Sequence, residues 1–325
     1  MDALNYQELR ELHDLPFFEL LSRARAVHVE HWPERDVQLC TLLSVKTGKC
    51  PEDCSYCAQS VRFDTPVEEQ PLMDVEAVRQ EAILAQEKGA QRFCMGAGWR
   101  SPKDPVEFEQ VLDMVREVKA MGMEACVTLG MLSKEQALQL RDAGLTAYNH
   151  NLDTSEEFYP EVITTRRYED RLDTLRNVAE AGVGICSGGI LGLGESVDDR
   201  LKMLETLGAL PAVPQSIPIN QLVPIPGTPL AEQQGIHPFD VVRMIAVTRM
   251  AFPQTRIRLS AGRESLSDEA QALAFFAGAN SVFYGDRLLT TDNNAEDQDR
   301  ALIESLGLQV ETTVVEPNSI QGSEV

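Results

Sequence analysis

Short apolar runs alternate along the chain with longer stretches in which apolar residues recur every three to four positions. Short runs rich in β-branched residues are typical of buried parallel strands, and the longer period indicates amphipathic helices. Eight strands are predicted, at residues 38–45, 91–98, 124–130, 147–153, 183–190, 216–224, 257–263 and 281–286. Eight strand-then-helix units with short connections predict an α/β fold, a (βα)8 barrel of the TIM type.

The predicted helices have recognisable ends. Three of them begin at a capping residue and end at a glycine, namely Asp74 to Gly89, Asp104 to Gly122 and Ser133 to Gly144. Further helices are predicted at 169–181, 197–207, 238–251, 268–277 and 296–306. An open doubly wound sheet would give the same alternation. The glycine-rich segment 188–195 lies at the turn after the fifth strand instead of the first, so it is weak evidence for a dinucleotide-binding site. We expect its glycines to let some ligand approach the backbone closely.

Three regions are predicted. Residues 1–37 form an N-terminal helical extension, residues 38–310 the barrel, and residues 311–325 a short, polar, flexible C-terminal tail. The extension is expected to face the barrel through an apolar stripe of Leu9, Leu12, Phe17, Phe18 and Leu21.

Charge and cysteine usage narrow the functional classes. Among 325 residues, 51 are acidic and 29 basic, and the net charge of −22 repels nucleic acid and anionic membranes. No apolar run is long enough to cross a bilayer, and the first residues lack a secretory pattern, so a cytoplasmic location is expected. The chain has seven cysteines, an odd number that cannot all be paired, and the expected compartment is reducing. Metal binding is therefore favoured over disulfides as the role of any close group of cysteines.

The segment TGKCPEDCSYCAQS, residues 47–60, places Cys50, Cys54 and Cys57 in a C-x3-C-x2-C pattern directly after the first strand. This is the end of a barrel at which active sites lie. A structural zinc normally takes four ligands, whereas a [4Fe-4S] cube held by three thiolates keeps one iron open for a substrate. Zinc with a distant fourth ligand is the alternative.

A second group of metal-ligating residues lies within the strands. Cys94, Cys126 and Cys186 fall in predicted strands 2, 3 and 5, and Arg258 falls in strand 7. Taken singly, buried cysteines are usually small apolar core residues. Three that converge on one lumen indicate a second iron-sulfur centre. A [2Fe-2S] cluster needs four ligands, and Cys40 in strand 1 is one candidate for the fourth.

The motif YNHNLD supplies polar groups to the same lumen. Asn149, Asn151 and Asp153 alternate along predicted strand 4 and therefore share a face, which suits a ureido ring or the hydroxyls of a ribose. His150 is expected on the opposite face as a packed residue. Arg171 is a candidate partner for a ligand carboxylate or for a surface ion pair.

Together, these motifs resemble the radical S-adenosylmethionine superfamily and, within it, the biotin synthase family. The resemblance rests on the cysteine loop and on GAGWR, YNHNLD and RLSAGRE, at residues 96–100, 148–153 and 258–264. It implies a catalytic [4Fe-4S] cluster on Cys50, Cys54 and Cys57, whose open iron takes S-adenosylmethionine, with Tyr56 near the adenine.

The same resemblance assigns the lumen residues. It implies a [2Fe-2S] cluster on Cys94, Cys126 and Cys186 with Arg258 as the fourth ligand, which leaves Cys40 in the core. A guanidinium normally stays protonated and offers no lone pair, so the alternative is that Arg258 only neutralises the cluster's charge. The resemblance further implies that Asn149, Asn151, Asp153 and Asn220 divide contacts between S-adenosylmethionine and dethiobiotin, a division that the sequence leaves open. Gly96, Asn151 and Asp153 are the candidates for S-adenosylmethionine, and Asn149 and Asn220 are the candidates for the substrate.

The implied activity is that of a sulfurtransferase, the insertion of sulfur into dethiobiotin to give biotin, the last step of biotin biosynthesis. The implied partners are a flavodoxin or ferredoxin reductant, the iron-sulfur assembly machinery and a second copy in a homodimer. Two alternatives stay open. One is another radical S-adenosylmethionine enzyme with the same barrel, such as a maturase or a mutase, and the other is an iron-sulfur electron carrier.

Overall fold

The strands of the protein form one parallel sheet. A computed structural model describes residues 3–34, 36–286, 288–291 and 293–311. Its strands are β1 (Asp36–Lys46), β2 (Arg92–Ala97), β3 (Glu124–Thr128), β4 (Ala147–Asn149), β5 (Gly184–Cys186), β6 (Gly189–Leu191), β7 (Ser216–Gln221), β8 (Arg256–Leu259), β9 (Ser281–Phe283) and β10 (Gln309–Val310).

The sheet closes on itself. Neighbouring strands pair in the order β1, β2, β3, β4, β5, β7, β8 and β9, and β9 pairs back with β1 through Gln38 and Ser281. This closure confirms the predicted (βα)8 barrel and excludes the open sheet. The fifth barrel strand is interrupted, because β5 and β6 both pair with β7 but are separated at Ser187 and Gly188. The short β10, which the pattern did not predict, extends the sheet beside the start of β1.

Helices surround the barrel wall. They are α1 (Tyr6–His13), α2 (Phe17–His31), α3 (Val75–Glu87), α4 (Pro105–Ala120), α5 (Lys134–Asp142), α6 (Tyr159–Val162), α7 (Tyr168–Glu180), α8 (Val197–Gly208), α9 (Pro238–Ala251), α10 (Asp268–Ala277) and α11 (Glu296–Ser305). The predicted capping side chains of Asp74, Asp104 and Ser133 all accept backbone hydrogen bonds. No helix of the described residues is long and apolar enough to cross a membrane.

Two glycines of the segment 188–195 allow close packing inside the wall. A Cβ on Gly188 would lie 2.0 Å from the carbonyl oxygen of Pro218, and one on Gly189 would lie 2.2 Å from Sδ of Met203. The clash at Gly188 is with backbone of β7, and the clash at Gly189 involves the Met203 side chain and, at 2.8 Å, the carbonyl oxygen of Asp153. At these two positions the close approach is made by the protein's own atoms, and the approach of a ligand to the segment 188–195 stays a prediction.

The N-terminal helices pack outside the barrel, α1 against α8 and α9, and α2 against α9 and α10. Leu9 and Leu21 are buried as predicted, but Phe18 is 77% exposed, so its place in the stripe was wrong. The buried face of α2 runs through Leu20, Leu21 and Ala24, and Phe18 points to one side of it because successive helical residues are about 100° apart. Of the predicted tail, residues 312–325 lie outside the described part of the chain.

Candidate active site

One cavity joins the mouth of the barrel to its interior. Its volume of about 310 Å³ lies at the lower end of the range of small-molecule sites. Every site residue predicted from the sequence lines it: Cys50, Cys54, Tyr56, Cys57, Cys94, Gly96, Cys126, Asn149, Asn151, Asp153, Cys186, Asn220 and Arg258. The fold therefore brings together two groups of thiols that are far apart in sequence.

The three-cysteine loop is closed by its own backbone. The Cys50 amide donates to the Gln59 carbonyl at 2.9 Å, and the Val61 amide donates to the Cys50 carbonyl at 2.9 Å. Within this ring, the Cys57 amide donates to the Cys54 carbonyl at 2.9 Å. These three backbone hydrogen bonds define the shape of the loop.

The acidic residues between the cysteines anchor the loop to the segment that precedes α7. Arg100 Nη1 donates to Glu52 Oε1 at 2.8 Å, and the Thr165 hydroxyl donates to the same carboxylate. The Thr164 amide donates to Asp53 Oδ1 at 2.9 Å. Partial burial of Asp53 acts to raise its pKa, but the hydrogen bonds from Thr164 and Thr165 outweigh it and lower the pKa to about 2. The sequence carried no signal of this anchor.

The thiols of the loop need a cation to become thiolates. Burial raises the pKa of Cys54 to about 11 and that of Cys57 to about 12. Metal ligation deprotonates such thiols, so this site suits a strongly bound metal centre. Arg166 Nη2 donates to Cys54 Sγ at 3.8 Å, a contact that the sequence did not predict.

Tyr56 is tied to the end of the fourth strand. Its hydroxyl donates to Asp153 Oδ2 at 2.8 Å, and Arg171 donates to the same carboxylate. Arg171 is only 3% exposed and also donates to the Tyr159 hydroxyl at 2.8 Å. The expected surface ion pair was wrong, because the pair of Arg171 with Asp153 is buried. Arg171 also lines the cavity, and its contact with a ligand carboxylate stays a prediction.

The polar residues of YNHNLD reach the cavity by an irregular path. β4 ends at Asn149, and Asp153 adopts a left-handed φ of 70°, so strict alternation along a strand was wrong. Asn151 and Asp153 still line the cavity because the chain turns inward after β4. His150 also borders the cavity, so the opposite face predicted for it was wrong. It is packed as expected, at 2% exposure, and burial holds its pKa well below the usual value.

The amide side chains of the cavity are held by the protein. Thr128 donates to Asn149 Oδ1 at 3.0 Å, and Asn149 Nδ2 donates to Cys186 Sγ at 3.3 Å. Asn220 Nδ2 donates to the Gly189 carbonyl at 3.0 Å, across the interruption of the fifth strand. These contacts fix the direction of each amide before any ligand enters.

The lumen thiols lie deeper than the loop. Cys94 and Cys126 are register partners on β2 and β3, and the Cys126 thiol interacts with those of both Cys94 and Cys186. Cys40 belongs to the same buried cluster. Its thiol contacts Gln38 Oε1 at 3.4 Å and Ser281 Oγ at 3.5 Å, and Cys40 is not among the described residues that line the cavity.

Arg258 lies beside these thiols as a cation. It is fully buried, with Nε donating to Ser281 Oγ at 3.0 Å and Nη1 donating to Cys186 Sγ at 3.8 Å. Burial acts to lower its pKa, but the neighbouring thiols of Cys40 and Cys186 hold the pKa above the usual value. A nitrogen that donates to sulfur in this way compensates the charge of a thiolate.

The two thiol groups differ from a site for one ion. Within the described ranges, no three His, Cys, Asp or Glu side chains converge closely enough to hold a single metal ion. The iron-sulfur clusters and the mononuclear zinc alternative both stay predictions from the sequence.

Two family models match the chain. That of the Radical SAM superfamily covers residues 44–207, and that of the Biotin and Thiamin Synthesis associated domain covers residues 218–309. Similar curated proteins carry the name biotin synthase. The one from Coxiella burnetii is 56% identical and covers 94% of this chain and 95% of its own length. The one from Sorangium cellulosum is 59% identical and covers 93% and 87%.

Solved structures show the same fold. A crystal structure of methylornithine synthase matches with a TM-score of 0.78 at 20% identity, over 95% of this chain and 94% of the other. A maturase of the [FeFe]-hydrogenase matches with a TM-score of 0.79 at 18% identity, over 94% and 72%. At such identities, the likeness concerns the barrel alone.

Proposed function

This chain belongs to the biotin synthase family of the radical S-adenosylmethionine superfamily, and on that premise we propose how its residues carry the reaction. It is a sulfur-inserting enzyme that converts dethiobiotin to biotin with S-adenosylmethionine and a [4Fe-4S] cluster. The observation that carries our proposal is that one cavity is lined both by the loop thiols at its mouth and by the lumen thiols at its depth.

Two clusters are proposed. Cys50, Cys54 and Cys57 would hold the [4Fe-4S] cluster, and Cys94, Cys126 and Cys186 would hold a [2Fe-2S] cluster. Arg258 is proposed as the fourth ligand on the resemblance, and ligation would require its guanidinium, which is a cation in the structure, to lose a proton. When bound, the first supplies the electron that cleaves S-adenosylmethionine, and the second supplies the sulfur. The residues between them would have to exclude water, since a carbon radical must meet its intended partner and no other.

Ligand contacts follow from the position of the side chains around the cavity. We propose that S-adenosylmethionine lies against Tyr56, Gly96, Asn151 and Asp153. The Tyr56 hydroxyl is held by Asp153, which keeps the aromatic ring in one orientation at the mouth. At Gly96, a Cβ would lie 2.6 Å from Leu289 Cδ2, so glycine keeps room for the segment above the cavity.

Dethiobiotin is proposed to lie between the two clusters, against Asn149 and Asn220. Asn149 stands next to Cys186 Sγ, so a ring held by this amide would be close to the lumen sulfur. The amide combines an NH2 donor group and a carbonyl acceptor, which complement the C=O and N–H groups of a ureido ring.

The remaining assignments are proposals about partners and organisation. We propose a flavodoxin or ferredoxin as reductant, the iron-sulfur assembly machinery as the source of the clusters, a homodimer and a cytoplasmic location. The boundaries 1–37, 38–310 and 311–325 are also kept, and both matched family models fall within 38–310.

Product analysis tests the proposal. The reconstituted enzyme is incubated without oxygen with dithionite, S-adenosylmethionine and dethiobiotin, and the products are identified by mass spectrometry. We expect biotin and 5′-deoxyadenosine, with both cluster types visible beforehand in Mössbauer spectra. A single cluster type in fully loaded enzyme would remove the proposed sulfur source.

Arg258→Ala tests the fourth ligand separately. A true ligand changes the [2Fe-2S] spectrum when it is removed, whereas a neighbouring cation leaves the spectrum unaltered. An unaltered spectrum would contradict ligation by Arg258 and leave the assignment of the three cysteines in place.

A further inference from the structure

Arg166 is a cation in contact with a loop thiol. No role was predicted for this residue from the sequence, and the proposed reaction gives it none. It follows the two threonines that anchor the loop and borders the cavity. Its Nε donates to the Tyr159 hydroxyl at 3.2 Å, and its Nη2 donates to Cys54 Sγ at 3.8 Å. The guanidinium is therefore held from one side and aimed at sulfur on the other.

The charge of Arg166 is not neutralised by a carboxylate. Among the described residues, no Asp or Glu lies within ion-pairing distance of it, although the chain carries a net charge of −22. Arg171, the other cation near Cys54, is paired with Asp153. An unpaired, largely enclosed cation is costly unless an anion completes it, and three thiolates bearing a cluster are such an anion.

We propose that Arg166 is a positioning residue that sets the reduction potential of the cluster held by Cys50, Cys54 and Cys57, through its hydrogen bond to Cys54 sulfur and its unpaired charge. The inference rests on the proposed [4Fe-4S] site.

The direction of the effect follows from electrostatics. Reduction adds an electron to an already anionic centre, and a fixed cation near its sulfur stabilises the reduced form more than the oxidised form. Hydrogen bonds to cluster sulfurs act in the same direction. Arg166 thus makes the cluster easier to reduce than the acidic surroundings alone would allow.

The test is the midpoint potential of the [4Fe-4S] cluster in the full-length reconstituted enzyme. It is measured by anaerobic redox titration followed by electron paramagnetic resonance, without S-adenosylmethionine or dethiobiotin. Arg166→Gln removes the charge, and we expect a midpoint potential more negative than that of wild type. The control is Arg167→Gln, one residue along, whose side chain is 77% exposed and paired with Asp170, and it should leave the potential unchanged.

Each outcome decides one question. A wild-type potential in fully loaded Arg166→Gln overturns the tuning role and leaves the proposed cluster site untouched. Absence of a [4Fe-4S] signal in wild type itself would instead refute the proposed function. If Arg166→Gln does not hold a cluster, the midpoint potential of Arg166→Lys is measured instead. The lysine side chain is shorter and its ammonium lies further from Cys54 Sγ, so we expect a midpoint potential more negative than that of wild type. A wild-type midpoint potential in Arg166→Lys would overturn the inference.

Discussion

The two thiol groups of the cavity are positioned by different parts of the protein. Cys50, Cys54 and Cys57 lie within one short loop, whose shape depends on its own hydrogen bonds and on polar contacts with distant side chains. The lumen thiols come from three strands and are positioned by the closed β-ladder. The loop site is thus a local motif held by polar anchors, and the lumen site is a product of topology.

This difference has energetic consequences. Two of the three loop thiols, those of Cys50 and Cys57, are only partly buried, whereas Cys126 and Cys186 are fully buried. Local opening costs little where backbone bonds face solvent and approaches the global stability in a core. We therefore expect the two centres to be lost, loaded and perturbed independently.

The largest expected effect comes from the loop. Cys54→Ala should abolish formation of both 5′-deoxyadenosine and biotin, because two thiolates do not hold the [4Fe-4S] cluster. Mass spectrometry measures the products, and Mössbauer spectroscopy measures the clusters. If the loop site and the lumen site are independent, the [2Fe-2S] signal must survive in this variant. Loss of that signal would mean that the two sites assemble together.

Cys126→Ala makes the reciprocal change in the lumen. It should remove the [2Fe-2S] signal and biotin formation and retain the [4Fe-4S] signal, since the loop makes no backbone bond to β3 that the change would break. Reductive cleavage of S-adenosylmethionine should continue in this variant. If cleavage also stopped while the loop cluster was present, the sites would be coupled through the cavity.

Chelation should separate the centres by rate. With both clusters loaded, we expect an iron chelator to strip the loop centre at least about tenfold faster than the lumen centre, which corresponds to about 1.4 kcal/mol in opening free energy. Time-resolved absorbance and iron analysis follow the two losses. Equal rates would argue that one global opening exposes both sites.

The smallest expected effect lies in the loop anchor. Thr165→Val removes a hydroxyl that donates to the buried Glu52 carboxylate, and we expect it to lower the free energy of unfolding by about 1–3 kcal/mol. Urea denaturation of the cluster-free protein measures this loss. Thr154→Val is the matched control, because the Thr154 hydroxyl is buried without a hydrogen-bond partner among the described residues, and it should be neutral or stabilising. Equal losses in the two variants would contradict the anchor.

The sequence predicted the parts of the molecule that depend on periodicity and local motifs. The barrel, its capped helices and the residues of the cavity followed from such patterns, with the resemblance adding Gly96 and Asn220 and the role of Arg258. Where the chain departs from regular geometry the prediction failed. Asp153 lies beyond the end of β4 with a left-handed φ. Asn and Asp are the non-glycine residues that tolerate this conformation, but YNHNLD contains three of them and does not single out Asp153.

The sequence pattern also did not predict which side chains pair over long distances along the chain. The contacts of Thr165 with Glu52, of Arg166 with Cys54 and of Arg171 with Asp153 join segments that only the folded barrel brings together. A charged residue in a predicted helix is expected to be exposed to solvent, because arginine is rarely fully buried. For this reason Arg171 was not expected in a buried ion pair.

The ring that joins Cys50 to Gln59 and Val61 bears on how the first cluster binds. Fixing a residue's backbone costs about 1–2 kcal/mol in conformational entropy, and the loop meets much of that cost during folding. The free energy of metal ligation is then available as affinity instead of being used to order the chain. The three-cysteine loop is therefore expected to bind its cluster with a smaller loss of conformational entropy than an unstructured loop of the same length.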